Sequence, residues 1–285
     1  MFNIFKKKLN KHKSVKIGIA FGGGATRGFA HLGAIKAFEE AGIDFDYVAG
    51  TSAGSIVGAL YSAGLSYEQM YEKAKKIKVK DIKNSKVFFV PSKTTGIENV
   101  VQDAIGNINF SQLKKPFAAV AVDLISGDEV VITKGNVSKA VAGSCSVPGF
   151  FSPVDFENMH LSDGGLQNNI PSDVLRMYGC DYVIAIDVNS TRGEGTESVK
   201  LLDVLPAALR IVMKSNSVKG YINADMVIQP DTKRFVATKV EGADEMIEEG
   251  YIATKERIPE ILRLISKKPH HKKGCYNQVN PPTII

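Results

Sequence analysis

The residue best placed for chemistry is Ser52, at the centre of Gly50-Thr51-Ser52-Ala53-Gly54. The apolar run Asp46-Tyr47-Val48-Ala49 leads into it and the small-residue segment Ser55-Ile56-Val57-Gly58-Ala59-Leu60-Tyr61 leads away, so the pattern reads strand, sharp turn, helix. Such a turn raises a serine hydroxyl from the backbone at the carboxyl edge of a sheet, the geometry of a nucleophile elbow. Gly50 and Gly54 let the chain bend tightly without a Cβ clash. The N-terminus of the following helix turns N–H groups and a positive dipole end toward the same spot, which suits a reaction that builds negative charge on oxygen. The competing reading is a purely structural turn.

A serine hydroxyl needs a base to take its proton. Of the five histidines, His12, His270 and His271 lie in the basic ends of the chain, and His31 sits one turn into a helix, where packing explains it better than catalysis. His160 is the one tempting histidine, three residues before Asp163, but an order of serine, acid and then histidine would need a placed histidine after the acid. Asp163 offers another route. It stands in Leu161-Ser162-Asp163-Gly164-Gly165, where two glycines leave its carboxylate uncrowded. Burial beside the serine would raise its pKa from about 3.9 and make it a workable base. The alternative is that Asp163-Gly164 is only a turn.

Stabilising the oxyanion calls for convergent donors, and Gly22-Gly23-Gly24-Ala25-Thr26-Arg27-Gly28 bares consecutive N–H groups after the first strand. A P-loop would need Gly-Lys-Ser/Thr, which Arg27-Gly28-Phe29 does not supply. A dinucleotide fingerprint is harder to dismiss, because Gly23-x-Ala25-x-x-Gly28 opens a helix and Asp44 and Asp46 lie downstream. Those acids precede the second strand rather than end it.

The elements that must position these groups alternate. Val15 to Phe21 reads as a strand, residues 28 to about 40 as a helix stopped by Gly42, then come the strand at 46–49 and a helix to Ser62. Two strand-to-helix units in a row predict a mostly parallel central sheet covered by helices, an α/β architecture of three α/β/α layers. Residues 66–83 read as a charged amphipathic helix, while 84–111 have no clear period and leave open whether 66–111 forms a lid. Strands are predicted at 117–122, 129–133, 181–188 and 225–229, and helices at 137–142, 200–222 and 243–266.

At 285 residues and 44% hydrophobic content, one large domain over 15–266 is the simpler division, with basic tails at 1–14 and 267–285. No apolar run approaches the roughly 20 residues of a membrane span, and nothing at the start resembles a secretory signal. Cys145, Cys180 and Cys275 are too few and too scattered for a disulfide framework or a zinc site. These features favour the cytoplasm. The net charge of +6 is concentrated at both ends. Phe2, Ile4 and Phe5 among the N-terminal lysines suggest peripheral contact with an anionic membrane at its inner face, against the plainer reading of solvated tails. The basic runs lack the interleaved aromatics of a nucleic-acid binder.

Taken together, the glycine loop with Arg27-Gly28, the run Gly50-Thr51-Ser52-Ala53-Gly54-Ser55, the turn Asp163-Gly164-Gly165 and the segment from Ser144 to Val154 resemble the patatin-like phospholipase family, over a motif core of 15–190. The resemblance implies a serine acyl hydrolase without histidine, metal or organic cofactor. In it Ser52 would be the nucleophile, Asp163 the base, and Gly23, Gly24 and Ala25 the oxyanion donors, acting on a phospholipid or another fatty-acyl ester. The family usually has glycine where Ala25 stands. By the same analogy the segment Ser146 to Val154 would run beside the site and shape an acyl pocket. A carboxylesterase or thioesterase would use the same machinery, and a lipid-sensing adaptor with slow turnover is the reading from outside enzymology.

Overall fold

The computed structural model describes residues 15–77, 92–189, 201–237, 239–267 and 282–285. His12, His270, His271, Cys275, the lysines before residue 15 and residues 78–91 of the region 66–111 lie outside them.

The first two units form as their patterns dictate. Strand β1 (Ile17–Phe21) leads through a 3-10 turn (Ala25–Gly28) into helix α1 (Phe29–Glu40), and β2 (Tyr47–Thr51) turns at Ser52 into α2 (Ala53–Ser62). The amphipathic segment after them is a shorter helix than its charge pattern predicts, α3 (Tyr67–Ala74), opened by a reciprocal capping box between Ser66 and Gln69. The aperiodic stretch holds a helix all the same, α4 (Thr95–Ile105). Then follow β3 (Phe117–Asp123), β4 (Glu129–Ile132) and α5 (Val137–Ser144), whose N-cap Asn136 side chain accepts from the Lys139 N–H. A hairpin of β5 (Val154–Phe156) and β6 (Met159–Asp163) leads to α6 (Ser172–Met177), β7 (Tyr182–Ile186), α7 (Leu201–Asn223), β8 (Met226–Ile228), α8 (Ala243–Ile265) and β9 (Thr283–Ile284).

Strands β8, β7, β1, β2 and β3 run parallel to their neighbours, β4 joins β3 antiparallel, and β9 pairs parallel with β4. The last residues therefore extend the sheet rather than trailing from it as the end of a basic tail, with the Thr133 N–H donating to the Ile285 carbonyl and the Ile285 N–H to that of Val131. Both faces of the sheet are buried, as expected for parallel strands between helices. Ile19 and Phe21 face a core closed by α1, α2, α4, α5 and α8, while Ala20, Val183 and Ala185 face Val174 and Leu175 of α6 and Ala224.

One edge of β3 has two occupants. Its residues 119–122 pair with β4 along one side. On the other side β2 pairs with residues 117–120, and β6, running the opposite way, pairs with 121–123. Two strands thus meet end to end, with Thr51 opposite Val120 and Asp163 opposite Ala121.

Helices α1 and α8 cross backbone to backbone. A Cβ at Gly33 would lie 1.8 Å from the Ile247 carbonyl oxygen, and one at Gly250 would lie 1.9 Å from that of Ala30. Because α1 continues the turn after β1, this crossing fixes the glycine loop from behind. Gly33→Ala is expected to destabilise the fold by about 3 kcal/mol or more, since rigid backbone rather than a movable side chain must give way. Urea unfolding measures this, and a change under about 1 kcal/mol would refute the close crossing.

Candidate active site

Ser52 sits at φ 52° and ψ −126°, in the left-handed half of backbone space. Such a conformation costs on the order of 1–3 kcal/mol and persists only where the surroundings impose it. The restraints are visible. The Ser52 N–H donates to Ser144 Oγ at 2.9 Å, and that hydroxyl in turn donates to the Val120 carbonyl at 2.5 Å. The Ser52 carbonyl accepts from the Ser55 N–H and the Ser55 hydroxyl, both at 2.7 Å. Thr51 Oγ1 donates to the Asn168 carbonyl at 2.8 Å. A Cβ on Gly54 would meet the Phe21 carbonyl oxygen at 2.1 Å, and one on Gly50 would meet that of Gly54 at 2.5 Å. The elbow glycines are required because the turn presses against its neighbouring strand.

Asp163 ends β6 and is fully buried, whereas Ser52 keeps 9% of its surface. Its N–H donates to the Ser146 carbonyl, and its Oδ1 accepts the Gly165 N–H at 2.8 Å. Oδ2 holds no hydrogen bond of regular geometry. Burial raises the carboxyl to about 6, against the Ser52 hydroxyl and the Gly165 N–H, which favour its ionised form. Cys145 is also buried here, 3.8 Å from Ser55 Oγ. Burial and the neighbouring Asp163 charge push its thiol far up, so it stays protonated.

The glycine loop divides its donors between scaffold and site. Gly22 N–H donates to Ile186 O and Gly23 N–H to Asn169 O, each at 3.0 Å. The expected trio of oxyanion donors therefore loses Gly23, whose amide completes the loop's anchorage. Among the described residues the N–H groups of Gly24 and Ala25 have no acceptor. Ala25 holds φ 49°, the conformation for which glycine is better suited. Gly23 is tight against Ser52, since a Cβ there would lie 3.3 Å from Ser52 Cβ and 2.6 Å from Asn169 Oδ1.

Arg27 fastens this loop rather than facing Ser52. Its guanidinium donates to the Phe235 carbonyl at 3.1 and 3.0 Å and to Asn189 Oδ1 at 3.1 Å, and Asn189 Nδ2 donates to Gly23 O. His31 Nε2 donates to the Gly22 carbonyl at 2.8 Å. Burial lowers that imidazole to about 4, so it is neutral and structural. His160 is exposed and pairs with Asp155 at 2.7 Å, away from the serine. Asp44 bonds Tyr61 and Lys115, and Asp46 accepts the Ile17 N–H, so both acids of the dinucleotide reading serve the opposite end of the strands.

Further residues complete the site without a local sequence signal. Asn168 and Asn169 offer their carbonyls to Thr51 and Gly23. Asn168 Nδ2 is gripped by Glu129 and Asp173, each at 2.8 Å, and Lys219 Nζ bridges the same two carboxylates at 2.7 and 2.6 Å. Burial works against the charge on Lys219, and Asp173 and Glu129 outweigh it. Gly164, which follows Asp163, approaches so closely that a Cβ would lie 2.2 Å from Val120 O. A separate cavity of about 150 Å³, lined by Tyr47, Phe110, Phe117 and Tyr178 among others, lies at the far ends of these strands.

The sequence model described as patatin-like phospholipase matches residues 19–176, more than half of the chain. The chain belongs to the patatin-like phospholipase family. An uncharacterized NTE family protein of Mycobacterium tuberculosis is 27% identical over 277 residues, covering 87% of this chain and 48% of the relative. Neuropathy target esterase sws of Drosophila melanogaster is 33% identical over 183 residues, 61% of this chain and 13% of its own. The patatin-like phospholipase domain-containing protein 6 of Mus musculus is 33% identical over 210 residues, covering 66% and 15%. The chain thus spans about half or less of these relatives. The crystal structure of VipD from Legionella pneumophila shares the fold at a TM-score of 0.50 and 12% identity, over 87% of this chain and 67% of that one. In this patatin-like fold the four motifs read from the sequence all border one place, the junction of β2 and β6.

Two outcomes follow. Ser144→Ala leaves the buried Ser52 N–H without its acceptor and should cost about 1–3 kcal/mol in denaturant unfolding; an unchanged midpoint would show that the elbow is held otherwise. Asp163 has a folded pKa near 6, above its ordinary value, so its contribution to stability is greatest below about pH 4 and is lost as pH rises through 6. Asp163→Asn removes the cost of the buried charge, so by up to about 2–3 kcal/mol it should be the more stable protein at pH 8 and lose that advantage near pH 4. Equal pH dependence of the two melting curves would refute this.

Proposed function

We propose that this protein is a serine acyl hydrolase that cleaves fatty-acyl esters of the phospholipid or lysophospholipid class through a Ser52–Asp163 dyad. The observation that carries the reading is a strained serine beside a buried carboxyl of raised pKa, next to two main-chain N–H groups without partners among the described residues. An ionised Asp163 accepts the Ser52 proton through Oδ2, the oxygen not engaged by the Gly165 N–H, as Oγ attacks the ester carbonyl. Gly24 and Ala25 N–H groups, with the start of α2 behind Ser52, stabilise the oxyanion. Collapse of the tetrahedral intermediate expels the alcohol, which takes the proton from Asp163. Water then attacks the acyl-serine with the same carboxylate as base, releasing the fatty acid and restoring the serine.

The family and the names of its relatives, an esterase and a phospholipase domain protein, support a lipid substrate. A carboxylesterase would share the chemistry, so the substrate class is settled by product analysis. Ser52→Ala and Asp163→Asn should each lower hydrolysis of a short-chain chromogenic ester by at least about 1,000-fold, and only the serine variant should lose all fluorophosphonate labelling at residue 52. In the wild type, kcat/KM should fall below a midpoint near pH 6 as Asp163 takes up its proton. Mass spectrometry of lipid products, wild type against Ser52→Ala, then identifies the acyl donor. Retained turnover in the serine variant would overturn the mechanism.

A further inference from the structure

Helix α7 exposes a largely apolar face and turns a mixed face, polar in part, toward the protein. Its inner side carries Asn216, Ser217, Gly220 and Asn223, with Gly220 pressed against Ile170. Its outer side presents Val204, Ala208, Ile211, Ser215, Val218 and Ile222, which recur at intervals of four and three and are all exposed, Ile211 at 69%. A surface helix ordinarily turns its apolar residues inward, and a largely apolar exposed stripe, broken here by Ser215, marks a surface that meets something.

Charge indicates what. Exposed Arg210 and Lys214 flank the stripe four residues apart, and Asp203 is the sole acidic residue in the sequence from 201 to 223. An apolar stripe edged by cations matches the boundary of an anionic bilayer, where acyl chains meet negative headgroups. Among the described residues no helix is long and apolar enough to cross a membrane, so the match is to lying on the bilayer.

The helix also touches the catalytic region. Asn216 Nδ2 donates to the carbonyls of Leu166 at 2.6 Å and Gly165 at 3.3 Å, in the turn that follows Asp163. Met213 would meet a Cβ at Gly165, and Leu205 one at Gly149. From the same turn Gln167 reaches Gly127, in the loop that carries Ile125, 78% exposed. That loop follows β3 beyond the level of Ser52, so its apolar tip stands at the carboxyl edge of the sheet where the serine lies.

We propose that the outer face of α7, edged by Arg210 and Lys214, is the surface by which the protein docks on an anionic phospholipid bilayer and holds its esterolytic edge at the lipid interface. The purpose of the docking rests on the acyl-hydrolase reading. The docking itself is tested without turnover, in the full chain carrying Ser52→Ala, by flotation with phosphatidylcholine vesicles with and without phosphatidylglycerol. Two double variants, Ile211→Asp with Val218→Asp and Arg210→Gln with Lys214→Gln, change exposed positions only.

Wild-type surface should bind the vesicles that contain phosphatidylglycerol, and each double variant should bind them at least about tenfold more weakly. With Ser52 restored, each should cleave a soluble short-chain ester at the unmodified rate and a vesicle-borne ester more slowly. Binding unchanged in both double variants, or binding lost only on removal of residues 1–13, overturns the docking surface. So does light scattering that shows a dimer dissociated by Ile211→Asp together with absence of vesicle binding, because the stripe would then face a second copy. Soluble-ester activity that survives Ser52→Ala would refute the hydrolase reading instead and leave the flotation result standing.

Discussion

The site depends on a shared strand edge. β2 and β6 meet end to end along β3, and the residues that follow one and finish the other, Ser52 and Asp163, are brought together by backbone pairing before any side-chain attraction acts. At the junction the Val120 carbonyl accepts the Ser144 hydroxyl, and the same hydroxyl receives the Ser52 N–H. Gly164 fits there because a side chain would strike that carbonyl. A shift of one residue in either pairing would carry Ser52 or Asp163 to the other face of the sheet. The register of β3 with both partners is therefore as much a part of the proposed chemistry as the hydroxyl and carboxyl.

Around this junction the fold tolerates several unfavourable local states. Ser52 and Ala25 hold positive φ, Asp163 is buried with one oxygen in no hydrogen bond of regular geometry, and two main-chain donors face no acceptor among the described residues. Each is costly by itself. They persist because elements without a chemical role restrain them. Arg27 and Asn189 clasp the glycine loop to residues 235–237, His31 supports the Gly22 carbonyl, and the α1–α8 crossing stands behind both. On the other side, Lys219, Glu129 and Asp173 hold Asn168, whose backbone steadies Thr51. The carboxylate pair is tolerable only with the lysine between them.

What the sequence revealed follows from the range of each interaction. The elbow, the glycine loop and their flanking strands and helices were legible because strand, turn and helix signals lie within a few residues of one another. The parallel sheet followed from their order. Asp163 was chemically reasonable from its turn, but only the family resemblance separated it from an ordinary Asp-Gly bend, because its partner lies across a pairing that no local pattern encodes. Ser144, Asn168 and Asn169 contribute through single hydroxyl or backbone bonds to distant residues, and nothing in their neighbourhood announces that. The helix at 95–105 follows a polar stretch of weak period, β5 and β9 are too short for alternation to appear, and β6 holds only Met159 and Leu161 as apolar residues, so it lacks the apolar run that marks the other five-residue strands. Gly23 illustrates the same limit, since a glycine loop promises free amides without saying which of them the scaffold will take.

The absence of a histidine from the proposed dyad has a physical basis in this geometry. A carboxylate in water is too weak a base to draw a proton from an alcohol, and an imidazole would need a third group to fix its ring and tautomer. Here the chain raises the basicity of Asp163 by removing its water and orients it through the Gly165 N–H, so one short side chain replaces a two-residue relay. Among the described residues the buried histidine near the loop, His31, is used as a neutral donor to a carbonyl. Burial has opposite effects on the two groups. It makes the acid a better base and would make the imidazole a poorer one, so a site enclosed this tightly favours aspartate.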